Sequence, residues 1–97
     1  MLDSLEKLSR LIALSPFLQR YGYFTEPCGR GTMVYRRESP LGFWKTSTNR
    51  LEFVSLGTGT VVDRADSIEQ AVMRTEKAAA AYVVGMRALA KTWKSAT

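Results

Sequence analysis

The sequence predicts an α+β fold: a bent N-terminal helix, an antiparallel sheet of three to five short strands, and a long C-terminal helix packed on the sheet. Three observations carry this. Over residues 67–94, Ile68, Val72, Thr75, Ala79, Tyr82, Met86, Leu89 and Trp93 alternate spacings of four and three, and only Thr75 is polar. That is one stripe down one face of a helix. Over residues 2–21 apolar positions again recur at helical spacing, with Ser15-Pro16 interrupting them. Between these blocks, residues 21–62 are rich in glycine, proline, threonine and aromatics, and the period falls towards two. Helical and strand patterns sit in separate blocks, which is the α+β arrangement. A chain of 97 residues is expected to form a single domain, 1–97.

The first helix is capped by Asp3 or Ser4, with Glu6 in the first turn to suit the dipole. Leu5, Leu8, Leu11 and Ile12 make its apolar face. Pro16 stops it, because proline lacks an N–H and restricts the residue before it. The same pair starts a second short helix, Ser15 as cap and Pro16 in the first position, running towards Gly22. Strands are expected at 23–25, 32–37, 41–46, 50–56 and 60–62. The loop 26–31, the break Glu38-Ser39-Pro40, the connection 47–49 and the turn Gly57-Thr58-Gly59 separate them. Asp66 or Ser67 starts the long helix, and each has Glu69 or Gln70 three residues on for a capping box. Gly85 is its one weak interior position.

Composition narrows the chemistry. The chain has no histidine and one cysteine, Cys28. The commonest general base and nitrogen ligand is therefore missing, and one thiol makes neither a zinc site nor an internal disulfide. Asp63, Asp66 and Glu69 gather near the start of the long helix, where acids stabilise the dipole. Gly57 and Gly59 stand too far before that helix to cradle a phosphate. No catalytic residue, metal site, cofactor or small-molecule substrate is expected, and an enzyme is not. Met1 leads straight into Asp3 and Glu6 without an apolar h-region, and no apolar run reaches membrane-spanning length. The expected location is the cytoplasm, with no membrane partner.

Two surfaces remain. The second half of the long helix carries Met86, Leu89 and Trp93 on the stripe, with Arg87 and Lys91 beside them. A helix of this length is long for so small a domain, so this end is the expected protein-binding surface, and a homodimer through the helix is one version of it. The strand region is basic and aromatic. Arg36, Arg37, Lys45 and Arg50, with Trp44 or Tyr35 to stack on bases, form an alternative nucleic-acid face. A net charge of +5 suits either kind of anionic partner. Alternation puts only one of Phe43 and Trp44 in the core.

The order helix, strands, helix and the run Thr75-Glu76-Lys77-Ala78-Ala79-Ala80-Ala81 resemble a double-stranded-RNA-binding domain and its alanine-rich second helix. That family places a basic cluster at the start of the second helix; this chain has Asp63, Asp66 and Glu69 there, with Arg64 alone positive. Leu56-Gly57-Thr58 followed by Ser67-Ile68-Glu69-Gln70-Ala71 is similar to the strand-to-helix join of sheet-type DNA readers of plant transcription factors. Neither resemblance identifies a family. The expected function is a small non-catalytic protein-binding module that occludes or bridges a macromolecular partner. It is of accessory or inhibitor type, of the kind carried by phages or plasmids, with protein favoured over nucleic acid as partner.

Overall fold

Five strands form one antiparallel sheet in sequence order: β1 (Tyr23–Cys28), β2 (Gly31–Arg36), β3 (Ser39–Ser47), β4 (Arg50–Ser55) and β5 (Val61–Ala65). Two helices, α1 (Leu2–Leu14) and α2 (Pro16–Arg20), precede it, and α3 (Ile68–Ser95) follows. This computed structural model describes the backbone over residues 2–95 and the side chains over residues 5–91. The α+β architecture with a long C-terminal helix packed on the sheet is as expected.

The register sorts the strand residues into two faces. Thr32, Trp44, Phe53 and Asp63 stand opposite one another across β2 to β5, as do Thr46, Leu51 and Ala65 across β3 to β5. On this face lie the buried Val34, Trp44, Leu51 and Ala65, and against it pack Leu5, Leu8 and Ile12 of α1, Leu18 of α2, and Ala71 and Ala79 of α3. Among the described residues Trp44 is the largest fully buried side chain, and its indole N–H donates to Thr75 Oγ1 at 3.0 Å. The polar Thr75 in the helix stripe is thus satisfied from both sides, since its hydroxyl also donates to the Ala71 carbonyl. The opposite face carries Phe24, Tyr35, Met33, Phe43 and Val54, half-buried or exposed.

Two strands are longer than the prolines suggested. Pro27 lies in β1, an edge strand, where a missing N–H breaks no ladder. Pro40 lies in β3 beyond its pairing with β4, opposite Tyr35 where the register shifts. β5 likewise runs past its expected end to Ala65 and takes in Asp63 and Arg64. Ser15 caps α2 as expected, its hydroxyl oxygen accepting from Leu18 N–H. That hydroxyl also donates to Glu76 Oε2 at 2.6 Å, which ties the bent arm to α3.

Along α3 the buried line is Ala71, Thr75 and Ala79, with Ile68 and Val72 half-buried beside it. Small side chains let the helix lie close to Trp44 and α1. A five-stranded sheet measures about 20 Å between outer strands, and strands of six residues are about 20 Å long. The 28 residues of α3 span about 42 Å. The helix therefore overhangs the sheet whichever way it runs, and the molecule measures 52 × 27 × 22 Å. The apolar stripe leaves the core before its end: Tyr82 is already 40% exposed, and Met86 and Leu89 are 48% and 61% exposed. Among the described residues, no helix is long and apolar enough to cross a membrane.

Candidate functional site

Where α3 leaves the sheet, it forms a groove of about 390 Å³ with the end of α2 and the β2–β3 turn. Tyr21 closes α2 and contributes one wall. Arg36 ends β2, Arg37 follows it in the turn, and Tyr82, Val83, Met86, Arg87 and Ala90 come from α3. Among the described residues, no acidic one lines the groove.

The local backbone aims Arg37. Gly22, with φ 79°, accepts the Arg37 N–H on its carbonyl at 2.7 Å. Arg37 itself has φ 56°, in the left-handed region that is unusual for a residue with a Cβ. A Cβ on Gly22 would come within 2.8 Å of Arg37 Cγ. A glycine is thus needed here twice, for its positive φ and for the space its neighbour occupies. Arg36 is held differently. Its guanidinium carbon lies 3.5 Å from the centre of the Tyr82 ring, a cation–π contact that keeps the planar group flat. On the groove's far side Phe17 packs on Tyr21, ring centres 5.1 Å apart, and Arg20 approaches the same ring at 5.8 Å.

The charges are segregated. Lys7 pairs with Glu69 at 3.0 Å, Arg50 with Asp66 at 3.4 Å, and Arg74 with Asp63 at 3.6 Å. Lys45 and Arg64 share Glu52 in a ladder across β3, β4 and β5. The three acids near the start of α3 thus have three separate basic partners. Arg36, Arg37 and Arg87 make no ion pair among the described residues. Guanidinium groups that present several N–H donors without a carboxylate are suited to planar anions from outside.

The two surfaces read from the sequence converge here in part. Met86 and Arg87 of the protein-binding set meet Arg36 and Arg37 of the nucleic-acid set in one groove. Leu89 and Lys91 are exposed further along α3, and the Trp93 side chain lies outside the described residues. The other members of the nucleic-acid set do not share a face. Trp44 is buried under α3 and bonded to Thr75, so it stacks on no base. Lys45 and Tyr35 point to the opposite side of the sheet; Tyr35 lies on Phe24, ring centres 4.8 Å apart and planes 2° from parallel. Arg50 stands at the β3–β4 hairpin beside Asp66. Strand alternation is the reason, because neighbours in sequence face opposite ways.

Sequence reasoning missed Tyr21, Gly22 and Val83. Tyr82 lies on the apolar stripe, and nothing in the stripe shows where the sheet beneath it ends. Comparison with family descriptions, curated proteins and solved structures finds no match to this chain.

Proposed function

We propose that the protein is a small, non-catalytic protein-binding module of the cytoplasm, of accessory or inhibitor type, which acts by occluding or bridging a macromolecular partner. The partner presents an acidic segment with apolar side chains. Its carboxylates lie against Arg36, Arg37 and Arg87, and its apolar groups against Tyr21, Tyr82 and Met86. The exposed Leu89 and the cationic Lys91 extend this surface along α3. The single observation that carries the reading is a groove with three arginines and no acid, next to a helix end with exposed apolar side chains. Tyrosine and arginine are the side chains that most often anchor protein interfaces. The sequence has no acid after Glu76, so two such ends repel each other and an acidic partner is favoured over a second copy.

The test uses a fluorescein-labelled peptide in which Glu and Asp alternate with Leu and Phe, followed by anisotropy, with a single-stranded oligonucleotide of equal charge as competitor. Arg37→Glu and Arg87→Glu should each weaken the peptide by at least about tenfold, as loss of a charge-assisted contact does. Circular dichroism should be unchanged, since neither side chain is buried. An oligonucleotide that binds more tightly than the peptide near physiological salt, or peptide binding indifferent to both reversals, overturns the proposal.

A further inference from the structure

Beneath α3 lies a second hollow, separate from the groove except that Arg36 borders both. It occupies about 250 Å³ between the helix and strands β2 to β5. Both layers are thin there. Across the sheet the opposed residues are Val34, Gly42 and Ser55, and α3 presents Thr75 and Ala78 above them. The Phe53 ring lies so close over Gly42 that a Cβ there would come within 2.7 Å of it. Tyr23, Leu41, Trp44 and Val62 complete a mostly apolar lining. The hollow opens to solvent beside the exposed Val62, Arg74 and Ala78.

Its rim is polar and carries a net positive charge. On one side Arg74 is held by Asp63 at 3.6 Å. On the other the Arg36 guanidinium, flat on Tyr82, makes no ion pair among the described residues. The Ser55 hydroxyl oxygen accepts from Gly57 N–H, which leaves its proton to donate. The Thr75 hydroxyl is fully used by Trp44 and the Ala71 carbonyl. An apolar chamber with one unpaired guanidinium at its mouth selects an apolar body that carries one anionic head.

We infer that this chamber is a binding site for a small apolar carboxylate, with the ring or branched chain on Phe53 and Trp44 and the carboxylate at Arg36. An apolar cavity of about 150 Å³ accommodates benzene. By proportion, 250 Å³ holds about ten non-hydrogen atoms, which is an aromatic or short branched acid rather than a fatty acid. The inference shares Arg36 with the peptide groove and otherwise rests on the hollow's own volume and lining.

The test titrates 4-methylbenzoate, and separately its neutral amide 4-methylbenzamide, into the ¹⁵N-labelled protein at constant ionic strength. The indole N–H of Trp44 is the reporter, identified against Trp93 with Trp93→Phe. The carboxylate should shift the Trp44 indole saturably and bind about tenfold more tightly than the amide. Arg36→Gln should remove that preference, and Arg36→Lys should restore part of it. Ala78→Phe places a ring over the mouth from a position that is itself exposed, and it should abolish both shifts while the thermal melt is retained. The inference is overturned if neither compound moves the Trp44 indole, if acid and amide bind alike in both wild type and Arg36→Gln, or if the shifts appear at Arg37 and Arg87 instead.

Discussion

Trp44 and Thr75 join the sheet to the helix through one buried hydrogen bond. Trp44→Phe keeps most of the packing but leaves a small cavity and removes the indole donor. The expected cost is about 1–3 kcal/mol in urea denaturation. On the open face of the sheet, burial and the neighbouring Glu26 carboxylate raise the Tyr35 phenol above its ordinary value. Glu26→Gln should therefore bring the phenolate absorbance of Tyr35 back to lower pH in an ultraviolet titration. A site on which Glu26→Gln has no effect would mean that the two groups do not interact in solution. At this scale the sequence was only partly legible. Alternation did say that one of Phe43 and Trp44 is buried, but not which. The choice is made by Gly42 and Thr75: the first leaves room on the helix-facing side of β3 for the Phe53 ring that packs on Trp44, and the second offers the acceptor that an indole N–H needs. Arg36 was legible as a cation, but its seat on Tyr82 depends on where α3 crosses, which no local pattern contains.

At the scale of elements, α3 is one continuous helix with two environments. Its start was readable. Ser67 accepts from Gln70 N–H at 3.0 Å, as the spacing implied, but the Gln70 side chain accepts from Asp66 N–H, one residue before the cap, rather than from Ser67 N–H. Ser67→Ala should cost about 1 kcal/mol. Its far half was also readable as different, because Gly85 and the ridge Met86, Leu89 lie beyond a core that a chain this small can supply. The point of departure from the sheet was not, since Tyr82 continues the stripe without interruption. Gly85 tests the free state of this end. A Cβ there meets nothing within 4 Å, so Gly85→Ala should raise helicity and stability by up to about 1 kcal/mol. A loss of stability would show that another backbone packs on Gly85, as in a helix-to-helix dimer. The strands were legible except at the end of β5, which runs on to Ala65, and at Pro27 and Pro40, which sit at an edge and at a register shift, places that only the sheet order defines.

Over the described part of the molecule, ion pairs on the sheet and around the start of α3 contrast with a cationic groove further along that helix. Glu69 belongs to the first group. Its own backbone N–H and then Lys7 hold its carboxyl below the ordinary range. A depressed folded-state value means that this stabilisation is complete above the unfolded value, about 4.3, and is lost as pH falls through the lower folded value. Wild type should therefore lose more stability than Glu69→Gln on acidification across that window, and the two should differ by a constant amount at neutral pH. The groove belongs to the second group, and its assembly from α2, β2 and α3 explains why sequence reasoning placed its members on two separate surfaces. The most direct measurement is the amide shift map of the ¹⁵N-labelled protein with the acidic apolar peptide. The account predicts shifts confined to Tyr21, Arg36, Arg37 and the stretch of α3 from Tyr82 to Ala90, weakening steeply with salt. Shifts centred instead on Met33, Phe43 and Lys45 of the open sheet face, or insensitive to salt, would contradict it.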